Sequence, residues 1–351
     1  MKLNTKLLKD MISNVNKCKP NNLLEITNYY NIVVSNNLVT LTGTDGVNYI
    51  QCNMNTKCNE DFEVIVKADQ FTKLINKTTV DEVELKIKDN MLLVKGNGTY
   101  KLEIFTEEDY PFYTSNISEV FKVRTKELID AIQVGKNIKS ETLSDGIMYS
   151  YLIRDGYLIA TDSIKVCCTQ LTGLQTEILI PPGIANLIET ISDDTCELGI
   201  DEDKTEIMVK GTGVTIYGAL SEGAEEFPDV TCLFEEPFNY SIDVNTKELI
   251  DAIDRLKLFI TDYDMNLIDT VFTPDSLILS TLNGSVEVIP YIKPITEQIE
   301  IELSLNSIYL QNILKSIRKP TLNIQFGDTN EFIKFECEHK FILAVADGDD
   351  E

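Results

Sequence analysis

Thr125-Lys126-Glu127-Leu128-Ile129-Asp130-Ala131-Ile132 recurs unchanged as Thr246-Lys247-Glu248-Leu249-Ile250-Asp251-Ala252-Ile253, an offset of 121 residues. A weaker copy, Thr5-Lys6-Leu7-Leu8-Lys9-Asp10-Met11-Ile12, lies 120 residues before the first. Chance identity over an octapeptide is remote, so the chain reads as a tandem repeat whose three copies account for all 351 residues. Other features recur in phase. Leu41-Thr42-Gly43-Thr44-Asp45-Gly46 corresponds to Leu158-Ile159-Ala160-Thr161-Asp162-Ser163 and, in degraded form, to Leu279-Ser280-Thr281-Leu282-Asn283-Gly284. Each is a strand running into a turn. The acidic stretches Glu107-Glu108-Asp109-Tyr110-Pro111 and Glu225-Glu226-Phe227-Pro228-Asp229 close the first two copies, so domains are expected at 1–117, 118–235 and 236–351.

Each copy is itself bipartite. A second helix-like segment follows the first, at 69–76, 183–191 and 307–314, and Pro181-Pro182 is placed to start the middle one. The remainder alternates as strands do. Glu82-Val83-Glu84-Leu85-Lys86-Ile87 is followed by a turn at Asp89-Asn90 and by Met91-Leu92-Leu93-Val94. Glu206-Ile207-Met208-Val209 and Leu322-Asn323-Ile324-Gln325-Phe326 read the same way. One helix plus about four strands, six times over, gives an α+β chain with helices packed on antiparallel sheets.

Composition sets limits. Apolar residues make up 43% of the chain and charged residues 25%, a normal balance for a globular protein. No stretch approaches the roughly 20 apolar residues of a membrane span. The start, Met1-Lys2-Leu3-Asn4-Thr5-Lys6, has no signal-peptide character, so a cytoplasmic protein is expected. Cys18, Cys52, Cys58, Cys167, Cys168, Cys196, Cys232 and Cys337 contain no Cys-x-x-Cys and read as reduced structural thiols. The net charge of −26 is opposite to that of a protein that grips nucleic acid over its whole surface. Contact with DNA therefore requires the basic residues to be gathered on one face.

The helices offer such a face. Leu249, Ile253, Leu256 and Ile260 form an apolar stripe that must pack on a sheet, with Lys247, Asp251, Asp254 and Arg255 off it. Lys126, Gln133 and Lys136 stand similarly in the middle copy. Six helices side by side at roughly 9–10 Å would leave about 8 Å free inside a ring, too narrow for a duplex. Twelve leave roughly 26 Å, so a head-to-tail dimer is the smallest useful ring.

At this point the chain resembles, from end to end, the bacterial DNA polymerase III β subunit, the sliding clamp. The likeness is carried by Leu41-Thr42-Gly43-Thr44-Asp45, Asp109-Tyr110-Pro111, Leu158-Ile159-Ala160-Thr161-Asp162, Ile180-Pro181-Pro182 and Phe227-Pro228-Asp229, in their order, spacing and repetition. It implies three tandem copies of the DNA clamp (processivity fold) domain and a homodimeric ring around double-stranded DNA, bound without sequence specificity. The ring would hold a replicative DNA polymerase for processive synthesis in DNA replication. Polymerase and clamp loader would attach through short linear peptides. Catalytic residues, cofactors and metals are not expected.

The resemblance places the partner-peptide pocket at Thr161, Ile164, Lys165, Val166, Pro228, Leu233, Asn306, Tyr309, Ile342 and Ala344. It implies a dimer seam at Tyr110, Phe259 and Ile260. DNA-facing candidates are Lys17 and Lys19, after the first helix, with Lys122, Arg124, Lys126, Lys136, Lys139, Lys247 and Arg255 by position. The chain departs from the family at Ser163-Ile164-Lys165-Val166, where Gly-His-Arg-Leu is usual. It also ends in the acidic Asp347-Gly348-Asp349-Asp350-Glu351 in place of a Met-Pro-x-Arg type tail. A diverged peptide preference is expected.

An enzyme is not expected. The single histidine, His339, has no motif around it, and Asp201-Glu202-Asp203 and Gly211-Thr212-Gly213 read as hairpin turns. The alternative is an acidic DNA mimic or clamp-like inhibitor of a nucleic-acid enzyme, which would need neither threefold repetition nor basic helix faces.

Overall fold

The computed structural model describes residues 1–21, 23–58, 60–105, 110–111, 116–260, 265–327 and 331–346. Glu107, Glu108 and Asp109 and the acidic end at 347–351 lie outside the described residues. One series of strands and helices runs three times along the chain. The first is β1 (Lys2–Asn4), α1 (Thr5–Val15), β2 (Tyr29–Ser35), β3 (Leu38–Thr44), β4 (Tyr49–Asn55), β5 (Phe62–Lys67), α2 (Ala68–Lys77), β6 (Glu82–Lys88), β7 (Met91–Lys95) and β8 (Thr99–Glu103). The second is β9 (Ile117–Arg124), α3 (Thr125–Lys136), β10 (Tyr151–Arg154), β11 (Tyr157–Thr161), β12 (Lys165–Gln170), β13 (Ile178–Ile180), α4 (Pro182–Ile188), β14 (Thr195–Asp201), β15 (Glu206–Gly211) and β16 (Val214–Ala219). The third is β17 (Tyr240–Asn245), α5 (Thr246–Leu256), β18 (Leu267–Phe272), β19 (Ser276–Ser280), β20 (Val286–Pro290), β21 (Ile301–Asn306), α6 (Ser307–Leu314), β22 (Thr321–Phe326), β23 (Phe332–Glu336) and β24 (Lys340–Ala344).

In the first and third copies a strand ends in a capping asparagine just before the helix. Asn245 accepts from Lys247 N (3.0 Å) and Glu248 N (3.1 Å), and Asn4 accepts from Leu7 N (3.0 Å). Each such cap is worth about 1 kcal/mol. Apolar positions then recur at helical spacing, and α5 buries Leu249, Ala252, Ile253 and Leu256. The stripe is one turn shorter than expected: Lys257 is the C-cap, and Ile260 lies beyond the helix, half-buried. Asp89 and Asn90 both have positive φ (52° and 58°), as a two-residue hairpin between β6 and β7 demands. The eight cysteines are unbridged, and burial pushes the Cys18 and Cys52 thiols up to about 12, which keeps them protonated and inert. Among the described residues no helix is long and apolar enough to cross a membrane.

Two compact units result. Unit 1, Met1–Ile129 with Ile180–Glu222, holds a sheet in the order β1-β6-β7-β8 and a larger one in the order β5-β2-β3-β4-β16-β15-β14-β9. Unit 2, Asp130–Leu179 with Gly223–Glu351, holds the sheet β13-β10-β11-β12-β24-β23-β22-β17 and the sheet β20-β19-β18-β21. The larger sheet of each unit joins two repeats through one antiparallel pair. In unit 1 it is β4 with β16, Tyr49 opposite Tyr217; in unit 2 it is β12 with β24, Val166 opposite Ile342.

Candidate functional site

In unit 2 the turn between β11 and β12 organises a site. Asp162 Oδ1 accepts from Ile164 N (3.1 Å) and Lys165 N (2.9 Å). Thr161 Oγ1 donates to Lys165 O (2.9 Å) and accepts from Ser163 N (3.1 Å). Lys165 is 3% exposed; its Nζ pairs with Asp162 and donates to Ile138 O (3.0 Å). It also lies 5.3 Å from the centre of the Tyr309 ring. Its charge is thereby used to tie the turn to the chain leaving α3.

Two surfaces follow from strand alternation along β12. On one face Val166 and Ile342 join Leu152, Ile159, Phe227 and Val230 in an apolar cluster, with Leu233 and Phe234 packed against it. A cleft of about 460 Å³ opens beside the turn, walled by Lys139, Ser140, Glu141, Asp145 and Met148, by Asp162, Ile164 and Lys165, and by Ile308, Tyr309 and Asn312 of α6. Asn306 caps α6 by accepting from Ile308 N (3.0 Å) and Tyr309 N (3.3 Å), which fixes the tyrosine. Ala344 N donates to Ile164 O (2.9 Å), holding the turn from the β24 side. An apolar cluster next to a cleft with carboxylate walls can seat an extended peptide.

The ten residues expected at the pocket therefore divide by role. Ile164, Lys165 and Tyr309 line the cleft, and Asn306 and Ala344 position it. Val166 and Ile342, 4% and 2% exposed, are buried beneath Leu233 rather than presented at the surface. Pro228 is exposed between Phe227 and Val230. Thr161 is corrected: at 1% exposure, with its hydroxyl committed to the turn, it has no surface to offer.

Among the basic candidates, Lys17, Lys19, Lys126, Lys136 and Lys247 are exposed. Arg124 pairs with Glu127 (2.6 Å), and Arg255 makes two bonds of 2.7 Å to Glu287. Lys122 stands in a cross-strand row with Glu197 and Lys210, not on a helix. Lys139 is a correction, since it is buried. Its Nζ donates to Ser140 O (2.7 Å) and lies 4.2 Å from the Tyr149 ring centre, and burial holds its pKa below the usual lysine value. At the expected seam, Tyr110 is also corrected. It is 4% exposed, donates to Thr42 O (3.1 Å) and packs with Tyr29, Ile65 and Phe105, so it is core. Phe259 is 52% exposed and Ile260 half-buried.

Sequence reasoning missed Glu141, Asp145 and Met148, which come from a segment without periodicity. It also missed Leu258 (79% exposed), Val286 (55%), Val288 (58%) and Tyr100 (41%). Alternation within the edge strands β8 and β20 was the one available signal for Tyr100, Val286 and Val288.

Residues 2–114 match the family model of the DNA polymerase III beta subunit, N-terminal domain. The beta sliding clamp of Staphylococcus epidermidis is 25% identical over 368 residues, covering 94% of this chain and 91% of that protein. That of Staphylococcus aureus is 23% identical, covering 88% of each. Among solved structures, the DNA polymerase sliding clamp of Bacillus subtilis superposes with a TM-score of 0.85 at 19% identity, over 99% of both chains. The Helicobacter pylori beta clamp bound to a DNA ligase peptide gives 0.85 at 13% identity, again over 99% of both. At those identities the two structures establish the fold.

Proposed function

The chain belongs to the bacterial sliding-clamp family, the β subunits of DNA polymerase III, and from that premise we propose that two copies close head to tail into a ring that encircles duplex DNA. The ring tethers a replicative polymerase for processive synthesis and performs no catalysis. The observation that carries the closure is the pairing rule of the sheets. β4 and β12 each close a half-repeat, and each meets the last strand of another half, β16 and β24. By the same rule β20 meets β8, yet each of these ends its own four-stranded sheet. An open edge is a template for another chain. Exposed Val286 and Val288 on β20, Tyr100 on β8, and Leu258 and Phe259 after α5 suit an interface with a second copy. The seam is therefore assigned to β8 and β20, with Phe259 and Ile260 beside them.

Charge supports the DNA reading. The six described helices carry eight of the chain's 31 lysines and arginines but seven of its 57 acidic residues. The surplus acid sits on strands and loops, so a helix-lined hole avoids the repulsion that the net charge would otherwise impose. An acidic DNA mimic would place carboxylates on the helices too. Lys17, Lys19, Lys126, Lys136 and Lys247 are the assigned phosphate contacts. The site at the 161–165 turn is assigned to peptides of the polymerase and loader, the domains to 1–117, 118–235 and 236–351, and the working compartment to the cytoplasm. Negative-stain electron microscopy of the purified chain tests the closure. Closed rings with a central hole, lost in Val288→Asp, are expected; wild-type monomers well above any working concentration overturn it.

A further inference from the structure

Resting on the peptide-pocket reading of the cleft beside the 161–165 turn, we propose that Glu141 and Asp145 make it select peptides carrying a lysine or arginine next to their apolar anchors. The two lysines that line the cleft have their ammonium groups engaged within the protein. Lys165 is closed off by Asp162 and Ile138 O, and Lys139 by Ser140 O and the Tyr149 ring. Glu141 and Asp145, by contrast, are exposed on the wall formed by the 139–148 segment. The Asp145 carboxylate is held in place by the Thr142 hydroxyl (2.7 Å), which leaves its charge unneutralised. The facing wall, α6, contains no charged residue to compensate. The same walls contribute Met148, Tyr309 and Ile308 (39% exposed), and with Ile164 of the turn (38% exposed) they give enough apolar surface to seat an anchor. The occupant that fits is a peptide whose apolar side chain lies against Ile164 and Ile308 while its cation reaches the two carboxylates. The chain's net charge of −26 draws such a peptide in from a distance and disfavours an acidic one.

Fluorescence anisotropy with three labelled peptides tests this on the full-length chain. The peptides share Leu and Phe anchors and differ at one flanking position, which is Lys, Gln or Glu. The Lys peptide is expected to bind about five-fold more tightly than the Gln peptide, as for a partly exposed ion pair. The Glu peptide should be weakest, and high salt should narrow the spread. In Glu141→Gln/Asp145→Asn the Lys-to-Gln ratio falls to about one, with circular dichroism showing the fold retained. Equal binding of Lys and Gln peptides to the wild type overturns the charge assignment and leaves the pocket reading standing. So does a ratio that survives in the double variant. Absence of binding by all three overturns the pocket reading and this inference with it.

Discussion

In the turn at 44–48, Asp45 Oδ1 accepts from Val47 N (2.9 Å) and Asn48 N (2.7 Å). Thr44 Oγ1 donates to Asn48 O (2.8 Å) and accepts from Gly46 N (2.9 Å). Bond for bond this is the turn at 161–165, and both lead into the strand that joins two repeats. The surroundings differ. Where the second turn has Lys165, the first has Asn48, whose Nδ2 donates to Asp45 Oδ2 (2.8 Å). Ladder register makes Gly218 the counterpart of Leu343, and helix position makes Gly183 the counterpart of Ile308. A Cβ on Gly218 would overlap Ile184 Cδ1 and Asn48 Oδ1, and one on Gly183 would lie 2.9 Å from Asn48 Nδ2. Two glycines thus let Ile184 and Asn48 fill the space with core. With Leu343 and Ile308 in their places, a cleft of about 460 Å³ stays open. One turn scaffold yields core or site according to the side chains brought against it.

The sharpest way to break this equivalence is at Lys165. Lys165→Met leaves the Asp162 carboxylate largely buried without its cation and should cost about 3 kcal/mol or more in urea denaturation. Lys165→Asn installs the first turn's solution, with an amide donor for Asp162, and should cost clearly less. Equal losses in the two variants would mean that the turns are not interchangeable.

Next in size is the reciprocal change in unit 1. Gly218→Ala pushes a methyl group into Ile184 and Asn48 and should lower stability by about 2 kcal/mol, as overpacking does. An unchanged thermal midpoint would remove the reason given for the filled first junction.

The sequence made part of this visible. The exact octapeptide disclosed α3 and α5 because helical periodicity is a local property. Asp89-Asn90 and Pro181-Pro182 disclosed a hairpin and a helix start for the same reason. The pairing of β4 with β16, and of β12 with β24, was not visible, since register between distant strands leaves no local pattern. Gly183 and Gly218 looked like ordinary small residues until their neighbours were known. The resemblance places Tyr110 at the seam and carries no information on the Tyr29, Ile65 and Phe105 that surround it in space. Position along the chain made Lys139 a DNA-facing candidate but says nothing about the carbonyl and ring that enclose it.

The smallest expected effect lies at the far end of the two junctions. Lys340 faces Cys168 as Thr215 faces Gln51, so His339 corresponds to Val214. Val214 meets Cys52 by ladder pairing, with no group there that titrates near neutrality. His339 instead uses Nδ1, 3.1 Å from Thr169 Oγ1. Burial holds its pKa below the ordinary histidine value and Arg318 adds to this, while Glu338 and Asp130 act in the opposite direction. The unfolded chain therefore takes up this proton first. Stability from His339 is complete above the ordinary histidine pKa of about 6.5 and declines as pH falls below it toward the folded value. Hydrogen exchange, corrected for its intrinsic pH dependence, should show segment 337–343 loosening between about pH 7 and pH 5 while segment 212–218 does not. His339→Gln keeps a partner for Thr169 without a titrating group and should flatten the response. If both segments loosen together, or if the glutamine variant loosens as the wild type does, the acid sensitivity belongs to the carboxylates of the chain at large and not to this junction.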